Sequence, residues 1–171
     1  MIFLEESKLI LENQNGFNDI MGFSAFKFQN LYGNSEYTQS YGKYNIFSHT
    51  ATDLLMYKLF KELQFKVRSV LGDQPLWMQA WMNQHKQDEV LGWHNHDWDW
   101  HGYISIDPKK TNTVFEEFVV ENKVGQIYFG EGHKEHKVEV LEPYEGLRTT
   151  IGFDVTSRVD TRSRYVSFIP F

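Results

Sequence analysis

Two histidines separated by a single residue, His94 and His96, stand in a stretch rich in groups that bind metal ions. The same stretch carries Asp97 and Asp99, and a strand-like run begins just after it at Tyr103. Side chains two positions apart in an extended segment point to the same side. The two imidazoles can therefore close on one ion.

The amino-acid composition limits which metal ligands and which classes of partner are available to the protein. Its 171 residues include no cysteine, so a metal must rest on His, Asp or Glu. The net charge of -6 argues against nonspecific nucleic-acid binding, which needs a basic surface. The first residues turn acidic at Glu5, and no apolar run approaches the roughly 20 residues that cross a bilayer. We expect a cytoplasmic protein without signal peptide or membrane span.

A third ligand is expected from a later strand, and His133 and His136 are the candidates. His136 directly precedes a predicted strand, 137–141, whereas His133 lies in a turn. We favour His136 because a strand holds a ligand more rigidly than a turn does. Arg148 begins the next strand, and a buried guanidinium can grip a carboxylate with two hydrogen bonds. Thr150 points to the same side and adds a hydroxyl. This pair suits the distal carboxylate of a small dicarboxylic acid.

The elements that position these residues follow from periodicity. Apolar residues at helical spacing predict a helix over 51–71, with Thr50 or Thr52 as N-cap and Gly72 as its end. From Leu76 the period is two, which predicts a strand to residue 83. Further short strands are predicted at 103–106, 113–115, 118–120, 126–129, 137–141 and 148–155. One helix followed by short strands with Gly/Pro turns indicates a closed or double-sheet β architecture.

The ends of the chain are less regular. Phe3-Leu4 and Leu9-Ile10-Leu11 are predicted as edge strands, with a turn at residues 13–16. Phe23, Phe26 and Phe28 suggest a strand or covering layer, and 32–44 has the composition of a loop, a surface loop being favoured over a lid. The apolar tail, 157–171, is expected to dock.

The pattern resembles the 2-oxoglutarate/Fe(II)-dependent oxygenase superfamily over residues 76–155. Within it, the chain is similar to uncharacterised bacterial and marine-phage (cyanophage-like) members with Trp-x-Asn, His-x-His, His-x-Val and Arg-x-Thr/Ser motifs. The matching segments are Trp81-Met82-Asn83, His94-Asn95-His96, His136-Lys137-Val138 and Arg148-Thr149-Thr150.

The resemblance implies one oxygenase domain over 1–171. It has N-terminal strands, a loop and a supporting helix in 1–75, a catalytic core in 76–155 and a docking tail in 156–171. The core is a double-stranded β-helix, or jelly roll, with a helix packed on one sheet.

The resemblance also implies the chemistry. Fe(II) is held by His94, His96 and His136, and O2 is the oxidant. 2-Oxoglutarate is anchored by Arg148 and Thr150, with Asn83 and Tyr103 as further contacts. An unidentified small molecule or protein is hydroxylated, with release of succinate and CO2. A homodimer is one option, and a phage-encoded protein would act in the host cytoplasm.

The departure from the superfamily is the carboxylate ligand, because the usual facial triad is two histidines and one Asp or Glu. We favour three histidines over His94 with Asp97 or His96 with Asp99. Three neutral ligands would leave the iron more positive and raise its Fe(III)/Fe(II) potential. We expect His101 to be an outer contact rather than a ligand. The competing classes are a cupin-like three-histidine metalloenzyme without 2-oxoglutarate, a catalytically silent phage accessory binding module, and a zinc hydrolase.

Overall fold

The structure, a computed structural model, describes residues 1–32, 42–159 and 167–171. The helices are α1 (Lys8–Tyr32), α2 (Ile46–His49) and α3 (Leu54–Leu71). The strands are β1 (Phe3–Glu6), β2 (Trp77–His85), β3 (Trp100–Asp107), β4 (Thr111–Phe115), β5 (Val119–Glu121), β6 (Gln126–Glu131), β7 (His136–Val140), β8 (Arg148–Thr156) and β9 (Ile169–Pro170). Among the described residues, no helix is both long and apolar enough to cross a membrane.

The chain from β2 to β8 is one long antiparallel ribbon whose two arms stay paired. β2 pairs with β8, β3 with β6, and β4 with β5. Between the first two of these pairs, His94 forms an isolated antiparallel bridge with His136. Each pairing joins a segment of the first arm to the matching segment of the second, so the arms run together to the turn between β4 and β5.

This ribbon is wound so that successive segments fall in two different sheets. The larger sheet has the order β1-β6-β3-β8-β2-β9, and the smaller has the order β5-β4-β7. The bridge places His94 beside β7, at the edge of the smaller sheet. A paired ribbon wound into two facing sheets is a double-stranded β-helix, so the predicted jelly roll is confirmed.

One face of the larger sheet is apolar and packs against the helices. Ile104, Ile151 and Phe153 belong to the same buried cluster as Leu59 and Leu63 of α3. The N-cap of α3 is Asp53 and not Thr50 or Thr52, because the Asp53 side chain accepts hydrogen bonds from the backbone N–H groups of Leu55 and Met56. Gly72 ends the helix with φ 80°, as predicted.

The N-terminal prediction was right for the edge strand at Phe3-Leu4, which lies in β1. It was wrong for 9–11, 13–16 and 23–28, all of which lie in α1. The non-helical backbone of Asn13, with φ -131° and ψ 25°, kinks this helix where a turn was predicted. The buried residues Ile10, Phe17, Met21 and Phe28 do follow a helical repeat, which the intervening polar residues obscured.

The predicted loop at 32–44 falls largely outside the described residues, since 33–41 are not among them. The same holds for Tyr165 and Val166 of the tail. In the described part of the tail, β9 pairs with β2 and Phe171 is buried. Phe168 packs on Trp98 with ring centroids 4.6 Å apart, so the tail contacts the segment that carries His96.

Candidate metal centre

The face of the larger sheet that points away from the helices is polar, whereas the face that packs on the helices is apolar. Along β8 the side chains alternate, so Arg148, Thr150 and Asp154 face inward while Ile151 and Phe153 join the apolar core. Every residue of β8 is buried. Polar groups enclosed in this way need partners or a ligand.

A cavity of about 410 Å³ lies between the two sheets. Its walls include all seven residues that the sequence marked for metal and co-substrate, namely Asn83, His94, His96, Tyr103, His136, Arg148 and Thr150. Trp81, Leu91, Trp98 and Val138 add apolar wall. Its size falls in the range of small-ligand sites, about 300–1,000 Å³.

Three histidines meet at one side of this cavity. His94, His96 and His136 each offer one ligand atom, and these atoms all lie within 4.8 Å of one another. The ring centroids are 4.3 Å apart for His94 and His136, and 5.4 and 5.5 Å apart for the pairs that include His96. Nitrogen atoms bound to one ion at about 2.1 Å are roughly 3–4 Å apart, so the three rings need only a small adjustment.

The backbone fixes this arrangement. His94 and His136 exchange N–H to C=O hydrogen bonds of 2.9 Å in both directions, and His96 N–H donates to Gly132 O at 2.9 Å. Gly132 is required there, because a Cβ atom would lie 2.0 Å from the carbonyl oxygen of Trp98. The two ligand segments are therefore joined without space for a side chain between them.

The outer nitrogen of each ring is already engaged. Nδ1 lies 2.8 Å from Gly92 O in His94 and 3.1 Å from Lys134 O in His136. In His96 it lies 3.0 Å from a carboxylate oxygen of Asp154. Because these oxygens only accept, each Nδ1 carries the proton, which leaves a lone pair on each Nε2.

An ion would complete this polar network. Nε2 of His96 is buried and has no hydrogen-bond partner among the described residues. Ligating histidines generally donate their other N–H to a carbonyl or carboxylate, as all three rings do here. Burial, reinforced by the neighbouring His101 and His94, lowers the pKa of His136 to about 2, and burial also lowers that of His94. His94 and His136 are therefore neutral and fit a divalent metal ion.

The structure does not bring the other predicted ligands to this group. Asp99 accepts hydrogen bonds from the Thr156 hydroxyl and the Ser157 backbone, each at 2.9 Å. Asp97 is exposed and lines the cavity, but its carboxylate is not grouped with the three imidazoles. The His133 side chain is 73% exposed, beside Glu131.

The sequence analysis missed Asp154, which is fully buried. One oxygen, Oδ1, lies 3.0 Å from Nδ1 of both His96 and His101, and the other accepts from Gln79 Nε2 at 2.8 Å. Burial alone would raise the pKa of Asp154, but the hydrogen bonds from His101 and His96 hold it well below its usual range. The alternation of β8 was the available signal, because it places Asp154 on the same side as Arg148 and Thr150.

The same cavity is also lined by a buried cation. Arg148 is 3% exposed, and no carboxylate of the described residues lies within 4.0 Å of its guanidinium. The hydrogen bond found for it there joins Nε to Thr111 Oγ1, at 3.3 Å. Burial lowers the pKa of Arg148 to about 10, so the group remains charged at neutral pH.

Hydroxyl and amide groups line the same cavity as this guanidinium. Asn83 donates to Thr150 Oγ1 at 3.3 Å and accepts from Trp81 Nε1 at 3.2 Å. Tyr103 Oη is buried and makes no hydrogen bond of normal geometry with a described residue. Burial raises the pKa of Tyr103 to about 12, although Thr113 and Arg148 offset part of this shift, so the phenol is a proton donor. The site offers a positive charge and donors to an anion.

Comparison with known proteins gives only distant similarity. No family profile and no curated protein matches the chain. Among solved structures, a 2OG-Fe(II) oxygenase family oxidoreductase from Burkholderia pseudomallei is 13% identical, with TM-score 0.46, covering 61% of this chain and 59% of that one. KdgF from Halomonas sp. is 17% identical, with TM-score 0.39 and coverage of 48% and 71%. A cupin-2 domain protein from Shewanella frigidimarina is 16% identical, with TM-score 0.37 and coverage of 45% and 69%. At such values the fold assignment rests on the strand pairing described above.

Proposed function

We propose that this protein is an Fe(II)- and 2-oxoglutarate-dependent dioxygenase that hydroxylates a substrate. The observation that carries the proposal is the buried Arg148, which faces the same small cavity as the three histidines and has no carboxylate partner among the described residues. An uncompensated buried charge is costly, so a site of this kind favours an anionic ligand.

The residues divide into two groups by their chemistry. Nε2 of His94, His96 and His136 would hold Fe(II), which when bound supplies oxygen activation coupled to the decarboxylation of 2-oxoglutarate. Arg148 would bind the distal carboxylate in a bidentate manner, while the Thr150 hydroxyl, Asn83 and Tyr103 add polar contacts. The apolar walls exclude water from this end of the cavity. The balanced reaction takes a substrate C–H bond, O2 and 2-oxoglutarate to C–OH, succinate and CO2.

A second candidate is a cupin-like metalloenzyme that does not use 2-oxoglutarate. The set of three nitrogen ligands favours it, because the usual iron triad includes a carboxylate. Three imidazoles can hold iron, manganese or zinc in such a protein, with affinities that follow the intrinsic order of the metals. The Arg148 side of the cavity would then have no co-substrate to bind.

Anaerobic titration separates these candidates. Adding Fe(II) and then 2-oxoglutarate should produce the weak visible absorption band of a chelated 2-oxo acid, and exposure to O2 should yield succinate. A zinc hydrolase, a metalloenzyme without 2-oxoglutarate, or a silent phage accessory module would show no band and no succinate. Iron binding without either signal would refute the proposal and leave the cupin-like candidate.

A further inference from the structure

The surroundings of Asp154 differ from those of an ordinary buried ion pair. Its Oδ1 atom receives two imidazole N–H groups at 3.0 Å, one from His96 and one from His101. The two rings are stacked with centroids 3.7 Å apart and an angle of 10° between their planes. Trp81 is stacked against both rings, with interplanar angles of 26° and 27°.

The far side of Asp154 is held as well. Gln79 donates to Oδ2 at 2.8 Å and accepts from the Ser167 hydroxyl at 3.1 Å. The carboxylate is therefore fixed from three directions by β2, β3 and the segment that contains His96. Gln79 also links it to the tail of the chain.

We propose that Asp154 is a positioning residue that holds His96 as the Nδ1–H tautomer and supplies the negative charge that the three neutral ligands lack. This inference rests on the three-histidine centre of the proposed function. The carboxylate that the ligand set lacks would then contact the ligand His96 instead of the metal. The expected rise in the iron potential is correspondingly reduced.

A competing arrangement uses the same residues. His96, His101 and Asp154 also offer three ligand atoms within 4.8 Å of one another, a set of two histidines and one carboxylate. An ion there would take Nδ1 of His96 and leave its buried Nε2 without a partner. With the ion at Nε2 and Asp154 at Nδ1, both nitrogens are satisfied. The cost of an unsatisfied buried group favours this second arrangement.

His101 then has a supporting role. Its hydrogen bond fixes Oδ1 of Asp154, and its ring lies flat against His96, so the His96 ring is restrained in both tilt and rotation. The predicted outer role of His101 agrees with this geometry. Such outer partners typically change metal affinity by about 10- to 100-fold when they are removed.

Two variants separate charge from orientation. Asp154→Asn removes the charge but keeps an oxygen that accepts from both imidazoles, and Gln79 can rotate its amide to accept from the new NH2 group. We expect a loss of Zn(II) affinity near the lower end of the range of about 10- to 100-fold. Asp154→Leu removes the acceptor too, and we expect a loss near the upper end. The control Asp99→Asn removes a charge from the same part of the chain and should change affinity by less than about twofold, because exposed charges are screened.

The second measurement needs no metal, and its first part needs no variant. Side-chain ¹H–¹⁵N spectra of metal-free wild-type protein should show His96 as the Nδ1–H tautomer, and in Asp154→Leu this preference should be lost. Because zinc and the metal-free protein are the probes, a failure to bind 2-oxoglutarate would refute the proposed function and leave this test intact.

Two results overturn the inference. One is a wild-type His96 that carries its proton on Nε2, and this result decides the question even if the variants fail to fold. The other is Asp154→Asn with wild-type zinc affinity, which would show that the charge of Asp154 has no influence on the ion.

Discussion

Replacing Arg148 with methionine should make the protein more stable and at the same time abolish its response to 2-oxoglutarate. Methionine retains most of the aliphatic stem, so the change removes chiefly the charge and the hydrogen bond to Thr111. The pKa of Arg148 falls from 12.5 to about 10 on burial. At about 1.4 kcal/mol per pKa unit, the buried charge costs roughly 3 kcal/mol of folding free energy.

The stability gained by removing this charge is partly offset. The lost hydrogen bond to Thr111 is worth about 1 kcal/mol, so the variant without ligand should be stabilised by roughly 1–3 kcal/mol. For a chain of this size, each kcal/mol shifts Tm by about 2–4 °C.

Ligand binding should show the opposite effect. Each hydrogen bond to a charged group contributes about 1.5–3 kcal/mol, and the loss of two should weaken 2-oxoglutarate at least about 100-fold. In wild type, 2-oxoglutarate at 100 times its Kd should add about 2.7 kcal/mol of stability; the variant should gain almost nothing.

Thermal unfolding under argon, with Fe(II) present and with or without 2-oxoglutarate, measures both effects. Arg158→Met is the matched control, because Arg158 is exposed and its loss removes the same charge outside the cavity. Equal 2-oxoglutarate stabilisation in wild type and Arg148→Met would refute the anchoring role. A variant that is several kcal/mol less stable than wild type would show that the guanidinium has a structural partner.

Three further predictions address the metal centre. His136→Ala should abolish stoichiometric Fe(II) binding while 2-oxoglutarate no longer produces its absorption band; equal iron content by elemental analysis in variant and wild type would reject the ligand assignment. Gly132→Ala should lower the free energy of unfolding by about 1–3 kcal/mol and weaken iron binding, because the new Cβ atom would lie 2.0 Å from Trp98 O. Gly22→Ala is the control, since Gly22 has open space around it and the change should be stabilising. Metal-free protein should lose stability as pH falls below about 6.5, because histidines of the unfolded chain take up protons there while burial keeps the folded-state pKa of His101 at about 4 and that of His136 at about 2. Urea unfolding in the presence of a chelator should show the unfolding free energy falling by up to about 1.4 kcal/mol per pH unit for each group. An unfolding free energy that does not change with pH would contradict this prediction.

Periodicity was sufficient to predict most of the barrel. The alternation in β2 and β8 gave their two faces. The motifs that resemble the oxygenase superfamily grouped His94, His96, His136 and Arg148, and all four line one cavity. α1 was not predicted, because polar residues around Asn13 interrupt its apolar repeat and tertiary packing outweighs that local signal.

Asp154 was missed for a different reason. A carboxylate near the end of a strand ordinarily faces solvent, and only the placement of β8 in the middle of the larger sheet buries it. Its hydrogen bonds join residues far apart in sequence, with His101 at 53 positions and Gln79 at 75. Such contacts depend on the closed fold, which spacing along the chain does not encode.

The bridge between His94 and His136 has a consequence for how the site is filled. The two residues exchange backbone hydrogen bonds in both directions, so the sheet itself keeps the two rings together. In the proposed iron enzyme, exchange of Fe(II) for another divalent ion would leave these backbone hydrogen bonds in place. The ion bound at the proposed centre would then depend on metal supply and on the intrinsic affinity order of the metals, so we expect the metal content of purified protein to follow its growth medium.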